Sequence, residues 1–553
     1  MKLYLIVAVV CSALGITSLA NAATLTPVNR DAVGQGLNDP TAAGPVGDNP
    51  GTTIGEQRRI VYQFAADLWG AVLESDVEIR VGASFQALTC TSTTAVLGSA
   101  GPWWVNRDFD RAPVAGIWYP AALANSLARR NLNAEEFFAP DDIDISSRFN
   151  ANLGGADCLA GSGWYYGLDG QTPAGRINFL NVVMHEIGHG LGVAGFLNKT
   201  TGALANFDGL PRSDAYTNLA YDNVQGLRFA HPNMTDALRA AAMRAPGRTV
   251  WDGAAVNLNA ALILDQKTLL RASGTLTADY EFGTAAFGPV ASPLNFTGSI
   301  QLADDGIGPD LADACTPIPA GSLAGRVAYI NRGTCGFELK VVNAQNAGAI
   351  AVLIGNIATS APGLITMADD PTLTANIPAL MVVSQDGSAI KAALPGVNVT
   401  IGQLAGRLAG ADPSGRVQLY APTTVAGGST FSHFDTALAP NALMEPFITS
   451  TLNGQFNVDL TAAMFKDIGW VLYAGNARVN GCNSGINVVT DGGLVAGANA
   501  QAWSNLCRYS TGLIRNGSYQ GCMEAYKDRA LASGLLVGSQ GRKLMSCAAR
   551  PAR

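Results

Sequence analysis

Two histidines and a glutamate stand close together in the segment NVVMHEIGHGLGVAGF, residues 181–196. If this segment is a helix, His185 and His189 lie on one face a turn apart, and two imidazoles in that arrangement can bind one Zn²⁺ ion. Glu186, the next residue along the helix, can then accept a proton from a water molecule that the ion activates. The residue types and their spacing therefore predict a metal centre with hydrolytic chemistry.

Two imidazoles do not complete such a centre, because a catalytic zinc ion has three protein ligands and a position for water. The chain contains four histidines, and the two outside this segment are His231 and His433. His231 precedes a stretch that predicts another helix, whereas His433 lies in the segment GGSTFSHFDTALAPNALMEPFI. The residues by themselves leave His231, His433 and an acidic side chain open as the third ligand.

The elements that must position these residues follow from hydrophobic periodicity. Apolar residues recur at helical spacing over 177–191, which predicts a helix with a buried face, and Gly192 permits a sharp turn after it. Upstream, residues 57–73 predict an amphipathic helix, and alternation at 77–85 and 142–146 predicts two strands. This order of elements indicates an α+β or α/β fold. We hypothesise that the strand at 142–146 lies along the rim of the cleft and pairs with an extended peptide.

The N-terminus indicates the compartment. Residues 1–22 combine a basic residue, an apolar core and the small-residue pattern Ala20-Asn21-Ala22, which is typical of a secretory signal peptide cleaved before Ala23. No later segment is long and apolar enough to span a bilayer. We therefore expect a secreted or periplasmic protein without a membrane span in the mature chain.

The cysteines agree with export, since an even number in an exported chain favours disulfides. After removal of Cys11, the mature chain keeps Cys90, Cys158, Cys315, Cys335, Cys482, Cys507, Cys522 and Cys547. Their placement suggests a bridge between the first two, a bridge between the third and fourth, and two bridges within the last four. Three connectivities are open for those last four.

Length and charge limit the remaining possibilities. A chain of 553 residues exceeds what one core usually supports, so we expect two to four domains. The formal net charge is −7 and only 14% of the residues are charged, so the chain lacks the basic surface typical of nucleic-acid binding.

A separate α/β segment follows at about 280–405. Strands are predicted at 325–333 and 349–356, with a helix at 336–348 between them, and 377–394 repeats the order of strand and helix. The stretch ACTPIPAGSLAGRVAYINRGTCGFELKVVNAQNAGAIAVLIGN, with IPALMVVSQDG after it, resembles a protease-associated (PA) domain. The resemblance implies a non-catalytic insert in an exported peptidase.

A second resemblance addresses the third ligand. His433 in SHFD is followed eleven residues later by Met444 in NALMEP, and 460–470 predicts a helix. This region resembles the leishmanolysin-like metzincins, in which an insertion displaces the third histidine far downstream. Compact metzincins carry that histidine three residues after the glycine that ends the helix, where this chain has Gly195. The resemblance implies that His433 is the third zinc ligand and Met444 the methionine of the Met-turn.

The patterns and the resemblance together imply an α+β metzincin-like peptidase domain, a twisted sheet plus the active-site helix, at 23–275 and 406–475. A PA domain at 280–405 interrupts it, and a small disulfide-rich helical segment follows at 476–553. The expected activity is that of a secreted endopeptidase with one catalytic Zn²⁺ ion, acting on protein or peptide substrates with Glu186 as general base and acid. Two alternatives are a zinc exopeptidase and an inactive extracellular binding or adhesion protein that keeps the fold.

Overall fold

The computed structural model describes residues 21–132, 143–360, 363–370, 372–449, 451–513 and 518–551. Apart from its last two residues, the expected signal peptide lies outside these ranges. Among the helices described, none is both long and apolar enough to cross a membrane. The chain divides into two compact units, the first formed by Met1–Asp265 with Gly410–Arg553 and the second by Gln266–Ala409.

The first unit contains both helices and strands. Its helices are α1 (Ile54–Val72), α2 (Ala121–Ala128), α3 (Phe179–Leu191), α4 (Asp236–Ala242), α5 (Ala254–Ile263), α8 (Thr461–Ile468), α9 (Ala496–Leu513), α10 (Tyr519–Ala532) and α11 (Gly538–Ala548). Its strands are β1 (Leu25–Asn29), β2 (Ile79–Gln86), β3 (Gly98–Pro102), β4 (Val105–Asn106), β5 (Tyr119–Pro120), β6 (Ile145–Asn150), β7 (Trp164–Tyr165), β8 (Ile177–Asn178), β9 (Ala220–Asp222), β10 (Leu227–Arg228), β11 (Thr249–Trp251), β19 (Asn476–Val479) and β20 (Cys482–Asn487).

A four-stranded sheet in the order β1-β2-β6-β3 supports the first unit. The strands β1, β2 and β6 are parallel, and β3 pairs antiparallel with β6 at one edge. Phe149 of β6 packs edge-to-face on Phe179 of α3 and on Tyr62 of α1, which joins the sheet to both helices. α1 begins after Thr53, whose hydroxyl accepts a hydrogen bond from the backbone amide of Glu56.

The strand expected at 142–146 has different residue bounds in the structure and lies in the interior of a sheet. Asp142 lies outside the described residues, and the strand itself is β6, Ile145–Asn150, in the interior of the sheet between β2 and β3. Its backbone groups are used by both neighbours, so our hypothesis that it pairs with substrate is wrong. The edge belongs to β3, whose sequence GSAGP lacks the alternation that identifies a strand.

The second unit is built on a seven-stranded sheet in the order β13-β12-β18-β14-β15-β16-β17. Its elements are β12 (Gln266–Gly274), β13 (Ala278–Tyr280), β14 (Gly298–Leu302), β15 (Val327–Asn331), α6 (Phe337–Asn346), β16 (Ala351–Gly355), β17 (Ala379–Val382), α7 (Ser384–Ala392) and β18 (Val397–Leu408). The strands from β14 to β17 are parallel, and two hydrophobic cores form around them. The unit begins at Gln266 rather than near 280, because β12 pairs with β18.

The segment 476–553 belongs to the first compact unit. α9 packs on α1, where Phe64 meets Trp503 edge-to-face with ring centroids 5.6 Å apart. Trp503 also stacks on Tyr526 of α10. The segment is therefore part of the packing around α1 and not a detached appendage.

Four disulfides are present in the described residues. They join Cys90 to Cys158, Cys315 to Cys335, Cys482 to Cys547 and Cys507 to Cys522. The first two are the local pairs that the sequence suggested, and the last two select one of the three connectivities left open.

Candidate metal centre

Helix α3 carries the first two histidines through the core of the first unit. It begins after Asn178, whose side-chain oxygen accepts a hydrogen bond from the Asn181 amide, and it ends at Gly192 with φ +130°. Two tryptophans fix the helix along its length, because Trp69 Nε1 donates to the Met184 carbonyl and Trp470 Nε1 donates to the Leu191 carbonyl. The axial position of α3 is thus held from α1 and from the turn after α8.

The structure brings His433 to the pair on α3. The Nε2 atoms of His185 and His189 lie 3.0 Å apart, and the Nε2 atom of His433 lies 3.2 Å from the first and 3.1 Å from the second. All three side chains are buried, with at most 8% of each residue exposed. Three imidazoles from two distant parts of the chain therefore converge on one point.

The hydrogen bonds of the Nδ1 atoms determine which nitrogen of each imidazole ring carries the proton. The Nδ1 atoms of His185, His189 and His433 lie 2.7, 2.6 and 2.7 Å from the carbonyl oxygens of Leu443, Val193 and Ser429. A carbonyl only accepts, so each Nδ1 carries the proton and each neutral ring turns an unprotonated Nε2 toward the other two. Three lone pairs that face one another suit a shared cation.

Burial keeps the rings neutral. Desolvation lowers the pKa of His185 to about 4, and it lowers the pKa values of His189 and His433 well below the ordinary value of 6.5. A tetrahedral zinc ion with bonds of about 2.0–2.1 Å requires nitrogens about 3.3 Å apart, close to the separations observed here. The donor set therefore fits zinc in atom type, protonation and spacing.

Glu186 lies beside the triad with the environment of a proton-transfer group. It is 5% exposed, and burial raises the pKa of its carboxyl group to about 8, although a hydrogen bond from the Ala100 amide of β3 opposes the shift. Its Oε2 atom is buried and accepts no hydrogen bond from the described protein. Glu186 and the three histidines line one cavity of about 690 Å³, with β3 on one wall and residues 445–448 on another.

Met444 and Gly195 show how the distant segment fits against α3. Met444 is fully buried, and a Cβ atom placed on Gly188 would lie 2.8 Å from its sulfur, so the methionine packs directly against the helix between the two histidines. A Cβ atom placed on Gly195 would lie 2.3 Å from the ring of Phe431. The space beside Gly195 is therefore taken by the segment that delivers His433.

The environment of His231 differs from that of the three clustered histidines. Its residue is exposed, and its Nδ1 accepts a hydrogen bond from the Asn233 amide in a surface turn. It is absent from the side chains that line the cavity in the described part of the chain. Among the described residues, the three other histidines form the one cluster of possible metal ligands.

Sequence reasoning missed several groups that hold the site together. Buried Asp214 accepts hydrogen bonds from the Phe196 and Thr217 amides, and the Ser432 hydroxyl accepts one from the Gly195 amide. These contacts fix the loop after α3 against the segment of His433. An isolated aspartate and serine carry no spacing pattern, so no sequence signal identified them.

The comparisons with known proteins bear on the second unit. Residues 286–390 match the PA domain family. This part of the chain is a PA domain. Over 92 residues the chain is 34% identical to "Signal peptide peptidase-like 2" of Arabidopsis thaliana, a match that spans 17% of this chain and 17% of that protein.

Three solved structures show a limited similarity. A zinc aminopeptidase from Bacillus subtilis is 20% identical over 28% of this chain and 37% of its own, with a TM-score of 0.19. A peptidase M28 precursor from Shewanella amazonensis is 18% identical over 27% and 40%, and the subtilisin-like protease Apa1 from Pseudoalteromonas is 15% identical over 25% and 34%, both with a TM-score of 0.19. These comparisons do not support the specific resemblance to leishmanolysin-like metzincins, which stays a prediction.

Proposed function

We propose that the protein is a secreted zinc-dependent peptidase that cleaves within polypeptide chains. The observation that carries this proposal is the convergence of three unprotonated Nε2 atoms beside the carboxylate of Glu186 in one cavity. Its four disulfides suit an oxidising compartment outside the cytoplasm.

The roles of the residues follow from their positions. His185, His189 and His433 would hold the ion, which when bound would supply a Lewis acid that lowers the pKa of water toward about 7 and polarises a carbonyl oxygen. Glu186 accepts the proton that the attacking water loses and then delivers it to the leaving amine. The carbonyls of Leu443, Val193 and Ser429 keep each imidazole in the required tautomer and orientation.

The edge strand β3 gives the cleft a place for an extended substrate. Gly98, Ser99 and Ala100 line the cavity, and β3 has a sheet partner, β6, on one side only. A peptide that adds to the free edge forms main-chain hydrogen bonds on both sides of the bond to be cleaved. This mode of binding requires no chain terminus, which favours internal cleavage.

A zinc exopeptidase is the second candidate. Zinc aminopeptidases are among the similar solved structures, although that likeness covers little more than a quarter of this chain. The products of a protein substrate distinguish the two activities, since internal cuts yield large fragments early and terminal trimming releases single amino acids.

Glu186→Gln tests the proposal directly. The variant keeps the three imidazoles, so it is expected to bind zinc like the wild type while casein cleavage falls by at least about 100-fold, because the proton acceptor is lost. Asn233→Ala, in the surface turn of His231, is a control outside the cavity. Undiminished cleavage by Glu186→Gln would refute the proposed role, and a wild-type protein that binds zinc but cleaves nothing would point to a binding protein.

A further inference from the structure

One positively charged side chain in the cavity has no part in the mechanism above. Lys199 lies in the loop that follows α3, and it is the one lysine or arginine among the described residues that line the cavity. Its Nζ atom donates to the Gly428 carbonyl at 3.3 Å, in the loop that leads to His433. The ammonium group is therefore placed beside the triad by two loops that the site itself requires.

The ammonium group retains the capacity to bind another group. An ammonium carries three N–H donors, and within the described residues Lys199 uses one of them, on Gly428. Lys199 lines the cavity and is half-buried, so its remaining donors can serve a group bound in the cleft. Desolvation of the ammonium group lowers the pKa of Lys199 to about 8.

The carboxylates of the cavity do not neutralise this charge. Those in the described lining are Glu186 and Glu445, and the pKa of Lys199 is shifted by desolvation, with no carboxylate acting on it. Glu445 accepts hydrogen bonds from Asn441 Nδ2 and from the Ala442 amide, so its two oxygens serve its own turn. Glu186 faces β3 through the Ala100 amide. A partly desolvated cation without a protein counter-charge is best satisfied by an anionic group of the substrate.

We propose that Lys199 binds a carboxylate of the peptide substrate and gives the enzyme a preference for acidic peptides. Two sources present this chemistry, an aspartate or glutamate side chain near the cleaved bond and the carboxylate at the C-terminus of a short peptide. The inference rests on the proposed peptidase function and adds a substrate class to it.

The test uses the zinc-loaded full chain and a set of quenched fluorescent peptides. One glutamate is moved through the positions around the cleaved bond, each peptide has a glutamine partner, and each is made with a free and an amidated C-terminus. We expect one glutamate position, or the free C-terminus, to raise kcat/KM by about 10-fold or more over its neutral partner. The position of the gain identifies the source of the carboxylate.

Substitutions then assign the gain to Lys199. Lys199→Gln is expected to abolish the preference while neutral peptides are cleaved within about 3-fold of the wild-type rate, and Lys199→Glu is expected to favour the lysine counterpart of the best peptide. If Lys199 only joined the two loops, every peptide would lose activity equally. Lys466→Gln, at an exposed lysine of α8 outside the cavity, is the matched control.

A binding measurement separates recognition from turnover. In the Glu186→Gln background, Lys199→Gln is expected to weaken binding of the best acidic peptide by about 10-fold and to leave binding of its neutral partner unchanged. A preference that survives Lys199→Gln, or a wild-type enzyme that cleaves acidic and neutral peptides equally, would overturn this inference alone. A zinc-loaded wild type that cleaves no peptide of the set would overturn the proposed function and this inference with it.

Discussion

Three buried imidazoles carry the proposed chemistry of this protein at the scale of single residues. Each ring donates its Nδ1 proton to a backbone carbonyl and is left with an Nε2 lone pair directed at the other two. Protonation of any ring would place a positive charge in a buried site and break the arrangement. The neutral state of the rings is therefore linked to the stability of the metal-free fold.

The pH dependence of that stability can be predicted for His185. Its pKa is about 4 in the fold and 6.5 in the unfolded chain, so between these values the unfolded chain binds more protons and acid favours unfolding. Between pH 7.5 and 5.5 the metal-free wild type is expected to lose about 1 kcal/mol of unfolding free energy relative to a metal-free His185→Asn variant.

Chemical denaturation of both proteins at the two pH values measures this difference. Glu186 and the other buried acids are present in both proteins, so the comparison isolates the contribution of the His185 ring. A difference between the proteins that does not change with pH would show that His185 is not held neutral by the fold.

At the scale of elements, the C-terminal helices stabilise the helix that supports the site. Trp503 of α9 is 4% exposed and contacts Phe64 of α1. Helix α1 in turn positions α3, because Trp69 of α1 donates a hydrogen bond to the Met184 carbonyl. The sequence predicted a disulfide-rich helical segment here without a packing partner, because its cysteines and helices have no pattern that reveals a long-range contact. The contact with α1 appears only in the fold.

Trp503→Ala tests this role. Loss of a buried indole is expected to lower the free energy of unfolding by about 3–5 kcal/mol. Trp103→Ala is the control, because Trp103 is 47% exposed and its removal should cost less than about 1 kcal/mol. Equal small effects in urea or guanidinium denaturation would mean that α9 contributes nothing to the first unit.

At the scale of the whole molecule, the chain leaves the first unit at Asp265 and returns at Gly410. Gln266 and Leu408 are partners in the β12–β18 ladder, so the two ends of the PA-containing unit are adjacent in space. The three histidines, Glu186 and the carbonyls that orient the rings all lie in the first unit. The proposed metal centre therefore needs none of the residues 266–409 for its own construction.

Replacement of residues 267–408 by a short Gly-Ser linker should leave the metal centre intact. We expect the shortened protein to bind one zinc ion per chain with an affinity within about 3-fold of the full-length protein. Metal titration checks the affinity, and near-ultraviolet circular dichroism checks that the first unit has folded. A folded protein without zinc binding would show that the second unit is needed to complete the site.

The sequence predicted the main helices and the PA segment better than the strand and the distant histidine that complete the site. The helix of His185 and His189 and the α1 helix were predicted because apolar residues repeat at helical spacing. The PA segment was predicted from a resemblance to that family. The edge strand β3 was missed because GSAGP has no alternating pattern. His433 followed from a resemblance alone, since 244 residues separate it from His189 and local sequence contains no distance information.

The most direct test of the account is the zinc content of three purified proteins, the wild type, His433→Ala and His231→Ala. The wild type and His231→Ala are expected to contain one zinc ion per chain, and His433→Ala is expected to lose bound zinc on dialysis, because two imidazoles remain. A His433→Ala protein that folds and keeps its zinc, or a His231→Ala protein that loses it, would contradict the triad of His185, His189 and His433.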